Sequence, residues 1–192
     1  MRAQRGVVLF IALIVLVAMS LAGIAMVRSV DTSLGIAGNL AFKQATTHGG
    51  ELGVQAAYTW LNTATPATLL NTNTANGYIS ARPATEPNWF DLAAWGDAAL
   101  LNGGAPDAAG NVVRYIVHRM CTEPNTPYNG SNAGVPNQCS LYSSATANPQ
   151  SNQVGRPQYV GGPPQVYYRV TARVDGPRNT VSIIQVSILI QA

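Results

Sequence analysis

The sequence predicts an α+β fold in which one long N-terminal helix, membrane-spanning and then amphipathic, packs on an antiparallel sheet. The first observation is an uncharged apolar run from Val7 to Val27. The second is a helical periodicity that continues beyond this run as far as Trp60. The third is a regular alternation of apolar and polar residues from Val166 to Asp175, followed by a turn and a second strand-like run from Val181 to Ile190.

The apolar run is long enough to cross a bilayer. A helix over Val7–Val27 would be roughly 30 Å long, which matches the hydrocarbon core. Backbone N–H and C=O groups in lipid need partners within the segment, so we expect the run to be helical. Arg2 and Arg5 before the run favour a cytoplasmic N-terminus, although Arg28 directly after it weakens the charge asymmetry.

Two interpretations of this segment are open from its residues. A cleaved signal peptide has the same basic start, apolar stretch and small residues, here Ser20 and Ala22. A retained anchor explains better why helical periodicity continues after Arg28. The continuing stripe recurs at spacings of three and four, with the one gap after Ala45 filled at His48 or Gly49: Val30, Leu34, Ala37, Ala41, Ala45, Leu52, Ala56 and Trp60. We therefore predict one retained helix, membrane-spanning over residues 7–27 and amphipathic over residues 28–62.

A globular head is expected over residues 63–192, because the helical pattern ends between Asn62 and Pro66. Within it, Val112–Met120 mixes branched, aromatic and polar residues and is predicted to be a strand. A short helix is predicted over Asn88–Leu101. We expect its aromatic side chains to pack against the long helix or the sheet.

The C-terminal strands are predicted to form a hairpin, with Gly176–Asn179 as the turn. Asn148–Gln165 is rich in proline and glycine and is predicted to be a loop. A sheet with one apolar face must bury that face, and the amphipathic half of the long helix is the candidate to cover it.

The chain has two cysteines, Cys121 and Cys139, in a stretch rich in Asn, Pro, Ser and Gly. In an exported domain they predict one disulfide, which would contribute on the order of 3 kcal/mol by restricting the unfolded chain. A structural zinc site is a poor alternative, because it needs four ligands and His48 and His118 do not supply a matching pair.

The residues that carry chemistry are few and dispersed. The net charge of +3 is scattered, without the dense basic patch that nucleic-acid binding requires, so we expect no nucleic-acid partner. No paired carboxylates stand out, and His48 and His118 are expected to be structural or exposed residues. Asp107–Asn111 lacks the closely spaced oxygen ligands of a calcium loop. We expect no enzymatic activity, no cofactor and no metal.

Both ends of the chain resemble a known family. Gln4-Arg5-Gly6 directly before the apolar run resembles the leader of type IV pilins and of the related type II secretion pseudopilins. The stretch Gln4–Gln44 is similar to the PilX subfamily of minor pilins. The segments Tyr168–Thr171 and Gly176–Ser182 are similar to the terminal hairpin of that subfamily, whereas the middle of the chain resembles nothing familiar.

The resemblance implies a pilin-like fold and a leader over residues 1–6. A prepilin peptidase of the inner membrane would cleave after Gly6, and the new amino group on Val7 would be methylated. The implied location is a single pass through the inner membrane with the head in the periplasm, and then the extracellular pilus. The implied partners are other minor and major pilins and a large PilY-type tip adhesin.

Ile11 departs from the family pattern, since most pilins carry Glu at this position. That carboxylate is thought to pair with the amino terminus of a neighbouring subunit, and an isoleucine removes the pairing. The departure favours a minor pilin that helps initiate assembly at or near the pilus tip. Two alternatives are a head that mediates adhesion or aggregation through residues 121–139, and a type II secretion pseudopilin, against which the C-terminal hairpin argues.

Overall fold

The computed structural model describes residues 5–142 and 164–191. In these residues the helices and strands follow one another as α1 (Arg5–Thr63), α2 (Pro66–Leu70), β1 (Tyr78–Ile79), β2 (Ala99–Leu100), β3 (Val112–Arg119), β4 (Ser131–Asn132), β5 (Val135–Pro136), β6 (Leu141–Tyr142), β7 (Gln165–Gly176) and β8 (Thr180–Gln191). Short 3₁₀ turns lie at Thr74–Asn76, Leu92–Trp95, Leu101–Gly104 and Pro177–Asn179. The chain divides into two compact units, Met1–Lys43 and Gln44–Ala192.

The described part of the first unit is helix, and its large apolar side chains are exposed from Val7 to Leu40. α1 is long and apolar enough to cross a membrane. Its hydroxyl groups are satisfied within the helix: Ser20 Oγ donates to the carbonyl of Leu16 at 2.8 Å, and Thr32 Oγ1 donates to the carbonyl of Arg28 at 2.8 Å. Such bonds remove the need for water around these polar groups.

The second unit is built around β7, which has strands on both sides. β3 pairs with it antiparallel, with Val113 opposite Val174, and β8 pairs with it antiparallel along its other edge. β6 pairs antiparallel with the start of β7. β2 pairs antiparallel with β3, whereas β1 pairs with β3 in parallel, with Tyr78 opposite Val117.

The predicted α+β class is confirmed, and so are the C-terminal hairpin and the strand beginning at Val112. The sheet is mixed rather than purely antiparallel, because β1 runs parallel to β3. A tight turn at Gly77 makes this possible. Gly77 has a positive φ of 64°, and a Cβ there would lie 2.6 Å from the carbonyl oxygen of Tyr115.

The helix predicted over Asn88–Leu101 is not formed. A 3₁₀ turn and the short strand β2 take its place, and Asp91 caps the turn by accepting a hydrogen bond from the Ala93 amide at 3.0 Å. Short turns suit this stretch, which has no helical periodicity to sustain a longer helix. Its tryptophans are at least partly buried, but Phe90 is 74% exposed, so the expected packing holds for only part of the aromatic set.

The face of α1 that packs on the sheet differs from the predicted stripe. Its buried positions are Thr46, Gly49, Gly50, Gly53, Ala57 and Leu61. Leu52, which the stripe placed inside, is exposed. Glycines form much of the contact because they let the helix approach closely: a Cβ at Gly53 would lie 2.9 Å from Val113 Cγ1. The helix is continuous through these glycines and ends at Thr63, as predicted.

The core lies between this helical segment and one face of the sheet. Its fully buried members include Ala57, Leu61, Tyr78, Val117, Val170 and Ala172. The rings of Trp60 and Tyr78 stand 5.2 Å apart, which joins the end of α1 to β1. The predicted loop at Asn148–Gln165 falls outside the described residues except for its last two positions.

Candidate functional site

The first candidate site is the uncharged surface of α1 from Val7 to Val27. Large apolar side chains point outward around the whole helix, and this part of α1 has no buried residue. Val7 and Ile11 are each 55% exposed, and Gly6 lies within the helix. A helix with an apolar surface of this extent is long and apolar enough to cross a membrane.

Small residues interrupt the bulky ones along this surface. Ala12, Ala18, Ala22 and Gly23 leave the backbone accessible to a neighbouring helix. A Cβ placed on Gly23 would meet no atom within 4 Å, so the helix itself does not fill that space. The surface therefore suits both lipid and close helix packing.

The second candidate site is the loop between Cys121 and Cys139, which form a disulfide with a Cα–Cα distance of 4.0 Å. Backbone hydrogen bonds on both sides of the disulfide close the base of the loop. The Thr122 amide donates to the carbonyl of Gln138 at 3.0 Å, and the Ser140 amide donates to the carbonyl of Met120 at 2.8 Å. The backbone at the base of the loop is therefore hydrogen-bonded as in a short antiparallel sheet.

Buried Asn137 organises the interior of this loop. Its Nδ2 donates to the carbonyls of Thr126 and Pro127 at 3.1 and 3.0 Å, and its Oδ1 accepts from the Glu123 amide at 3.0 Å. One amide side chain thus satisfies three backbone groups on the opposite side of the loop. The loop is consequently a pre-formed surface.

The tip of the loop is the hairpin formed by β4 and β5. Ala133 and Gly134 turn it with positive φ angles of 49° and 85°, and Val135 is 54% exposed. The hairpin residues from Ser131 to Pro136 carry no charge. The tip of the loop therefore offers an outside surface of hydroxyl, amide and apolar groups.

A third cluster lies on the sheet face opposite the core, and sequence reasoning did not find it. Arg169 Nη1 is 2.9 Å from Glu86 Oε2, and the Trp89 ring stands edge-on to His118 with centroids 5.9 Å apart. Burial, and then the charge of Arg169, lower the pKa of His118 to about 4. Alternating charged residues along β3 and β7 could have indicated this cluster. The segment that covers these residues, which contains Glu86 and Trp89, has no periodicity in its sequence.

The remaining candidate residues stand apart from these sites. His48 Nδ1 lies 3.5 Å from Glu51 Oε2 on the exposed side of α1. Asp107 accepts hydrogen bonds from the Ala109 amide and from the Asn111 amide and side chain. Burial raises the pKa of Asp107, but these bonds outweigh it and lower the pKa below its usual value. The described residues contain no group of three or more His, Cys, Asp or Glu able to hold a metal ion.

The geometry thus offers an apolar helical surface and a disulfide-closed loop as the two features with an evident use. Neither depends on a catalytic arrangement of side chains. Compared with known proteins, the chain matches no family model, no curated protein and no solved structure.

Proposed function

We propose that the chain is a non-catalytic minor pilin of the PilX type, which takes part in the initiation of a type IV pilus and is incorporated at or near its tip. One observation carries the proposal. An exposed apolar helical surface at Val7–Val27 continues, in the same helix, into a segment that packs on the sheet of a globular head. In a secreted soluble protein the apolar run would serve as a cleaved signal peptide, which does not need to continue into the folded head.

Assembly follows from the physical chemistry of that helix. Before assembly, the segment Val7–Val27 is solvated by lipid tails in the inner membrane, with the head in the periplasm. On assembly it exchanges lipid contacts for contacts with the helices of other minor and major pilins. Ala18, Ala22 and Gly23 allow the close backbone approach on which helix association in lipid depends.

Processing precedes assembly in this proposal. A prepilin peptidase removes residues 1–6 by cleaving after Gly6, and Val7 then carries the methylated amino terminus. Ile11 supplies no carboxylate to pair with the amino terminus of another subunit. A subunit without this pairing suits the initiating position, where no subunit lies ahead of it, and a PilY-type adhesin is its expected partner there.

The mass of the native protein tests the proposal. Protein extracted from the membrane fraction should begin at methylated Val7, and the variant Gly6→Val should keep its leader and remain unassembled. The matched control Ala3→Val changes the leader by a similar volume and should be processed normally. A native chain that begins near Gly23 and is freely soluble would overturn the proposal.

A second candidate function is adhesion or aggregation through the head, favoured by the pre-formed loop between Cys121 and Cys139. Replacing the β4–β5 hairpin, residues 131–136, with a two-residue turn leaves the disulfide and Asn137 in place. Normal pilus numbers with lost adhesion would assign binding to the loop. Loss of pili would assign the head to assembly, and loss of protein secretion with normal pili would favour the pseudopilin alternative.

A further inference from the structure

Arg119, the last residue of β3, is a buried cation that has no acidic partner among the described residues. It is 5% exposed, and its Nη1 donates to the carbonyl of Thr126 at 2.9 Å. Its Nε makes no hydrogen bond, and no described carboxylate oxygen lies within 4.0 Å of its guanidinium. Buried charges in proteins are ordinarily paired, so the absence of a counter-charge here requires an explanation.

Arg119, which is also hydrogen-bonded to the Tyr168 side chain, lines a cavity of about 300 Å³ between α2, the disulfide loop and the sheet. The remaining wall is apolar or aromatic for the most part, with Pro66, Leu69, Leu70, Pro127, Tyr128 and Tyr168 as its main members. Arg119 is the one charged residue of this lining. A single cation in an apolar wall is the arrangement that selects a carboxylate attached to an apolar group.

A second groove of about 450 Å³ adjoins the first and shares Pro66, Leu69 and Gln191 with it. It is lined by the end of α1, including the exposed residue Tyr58. Through these shared residues the groove continues from the cavity that Arg119 lines. A path of this kind fits an extended peptide better than a compact small molecule.

We propose that this site receives the C-terminal carboxylate of a partner polypeptide whose last side chain is apolar. The carboxylate pairs with the guanidinium of Arg119, the last side chain fills the space beside Leu70 and Tyr128, and the preceding residues follow the adjoining groove. A terminal residue carries its carboxylate and its apolar side chain on one carbon, which suits a cavity of this volume. An Asp or Glu within a chain, by contrast, carries its carboxylate without an apolar side chain on the same residue. This inference goes beyond the proposed function and does not depend on it.

The experiment uses the full chain in detergent micelles, with arginine labelled by ¹⁵N, and three short peptides. The first is N-acetyl-Ala-Ala-Leu with a free carboxylate, and the second is the same peptide as its C-terminal amide. The acid should bind and shift the Nε–H resonance of Arg119. The amide should bind at least about tenfold more weakly, because it offers the guanidinium no charge.

The third peptide, an amide with an internal Glu, separates the two sources of a carboxylate. Weak binding, like that of the plain amide, supports a C-terminal ligand. Binding as tight as that of the acid would overturn the C-terminal assignment. Equal binding of the acid and the plain amide, or no saturable shift of the Arg119 resonance up to ~10 mM, would overturn the site itself.

Variants complete the test. Arg119→Gln should weaken binding of the acid by at least about tenfold. Since that change also removes the bond to Thr126, Ala67→Trp is a second variant that obstructs the cavity while keeping Arg119, and it should weaken binding equally. Arg82→Gln is the matched control, because Arg82 is exposed and lines a separate cavity. Unchanged affinity in both Arg119→Gln and Ala67→Trp would contradict the proposal.

Discussion

Arg173 Nη1 donates to two consecutive backbone carbonyls, those of Trp89 at 3.1 Å and Phe90 at 2.7 Å. The same guanidinium contacts Asp175 Oδ1 at 2.8 Å through Nε and Nη2. One side chain of the central strand thereby fixes an irregular segment across the outer face of the sheet. This segment covers His118, and its position depends on polar contacts more than on apolar packing.

Replacement of Arg173 by Met should lower the free energy of unfolding by about 3 kcal/mol. The change removes the Arg173 donor from the carbonyls of Trp89 and Phe90, of which the Trp89 carbonyl keeps the Trp95 indole as a donor, and leaves the carboxylate of Asp175 with one cation, Arg114, at 2.9 Å. Denaturant unfolding measures the change, and tryptophan fluorescence reports whether Trp89 becomes exposed. The exposed control Arg82→Met should stay within about 0.5 kcal/mol of the native chain. Equal stability of both variants would contradict this prediction.

Acid should destabilise the head through His118. Burial, then Arg169, lower the pKa of His118 to about 4, while Glu86 and Asp97 act in the opposite direction. An unfolded histidine has a pKa of about 6.5. Unfolding therefore favours protonation of His118. The stability that neutral His118 contributes is complete above pH 6.5 and is lost as the pH falls toward 4. The loss should reach roughly 2 to 3 kcal/mol.

Unfolding free energies at neutral pH and near pH 4.5 measure this dependence. In His118→Gln the part of the pH dependence that is due to His118 should disappear, since glutamine does not titrate. His48→Gln, the same substitution on the exposed side of α1, is the matched control. A His118→Gln head that keeps the native dependence on pH would show that other groups are responsible.

Gly53→Ala should destabilise the head by about 1–3 kcal/mol. Its new Cβ would lie 2.9 Å from Val113 Cγ1 and 3.4 Å from Ala172 Cβ, so the helix must move away from the sheet. Gly38→Ala in the same helix is the control, because a Cβ there meets no atom within 4 Å. It should be neutral or stabilising by up to about 1 kcal/mol through helix propensity. Thermal unfolding of both variants distinguishes packing from propensity.

Loss of the disulfide in the double variant Cys121→Ser and Cys139→Ser should cost on the order of 3 kcal/mol. Asn137 should hold the loop in its native arrangement below the melting temperature, because its hydrogen bonds do not involve sulfur. The native chain in reductant is the control and should behave like the double variant. Proteolysis within residues 122–138 under native conditions would contradict the expected order of the loop.

Periodicity made the long helix and the C-terminal hairpin predictable. The alternation around Val170 identified the buried face of β7, and the turn at Pro177–Asn179 needed only local chemistry. The face of α1 was harder to predict, since the expected stripe consisted mostly of alanine and larger apolar residues, with Gly49 or His48 only filling a gap, and glycines make much of the close contact. Glycine has no side-chain hydrophobicity, so a periodicity argument overlooks it.

The covering segment and the Arg119 cavity were beyond sequence reasoning for a different reason. Arg173 binds the backbone carbonyls of Trp89 and Phe90, which a residue of any type could supply. Arg119 and Leu70 are far apart in sequence and meet only through the tertiary fold. Contacts of this kind leave no local pattern that a single sequence could reveal.

The glycine contact between α1 and the sheet joins parts of the chain that are made at very different times. Gly53 emerges from the ribosome well before Ala172, the residue of the central strand beside it, which follows roughly 120 residues later. At common rates of translation this delay is on the order of 10 s. Throughout that interval this face of the helix has no native cover, so it stays open to contacts with other chains until the sheet is complete.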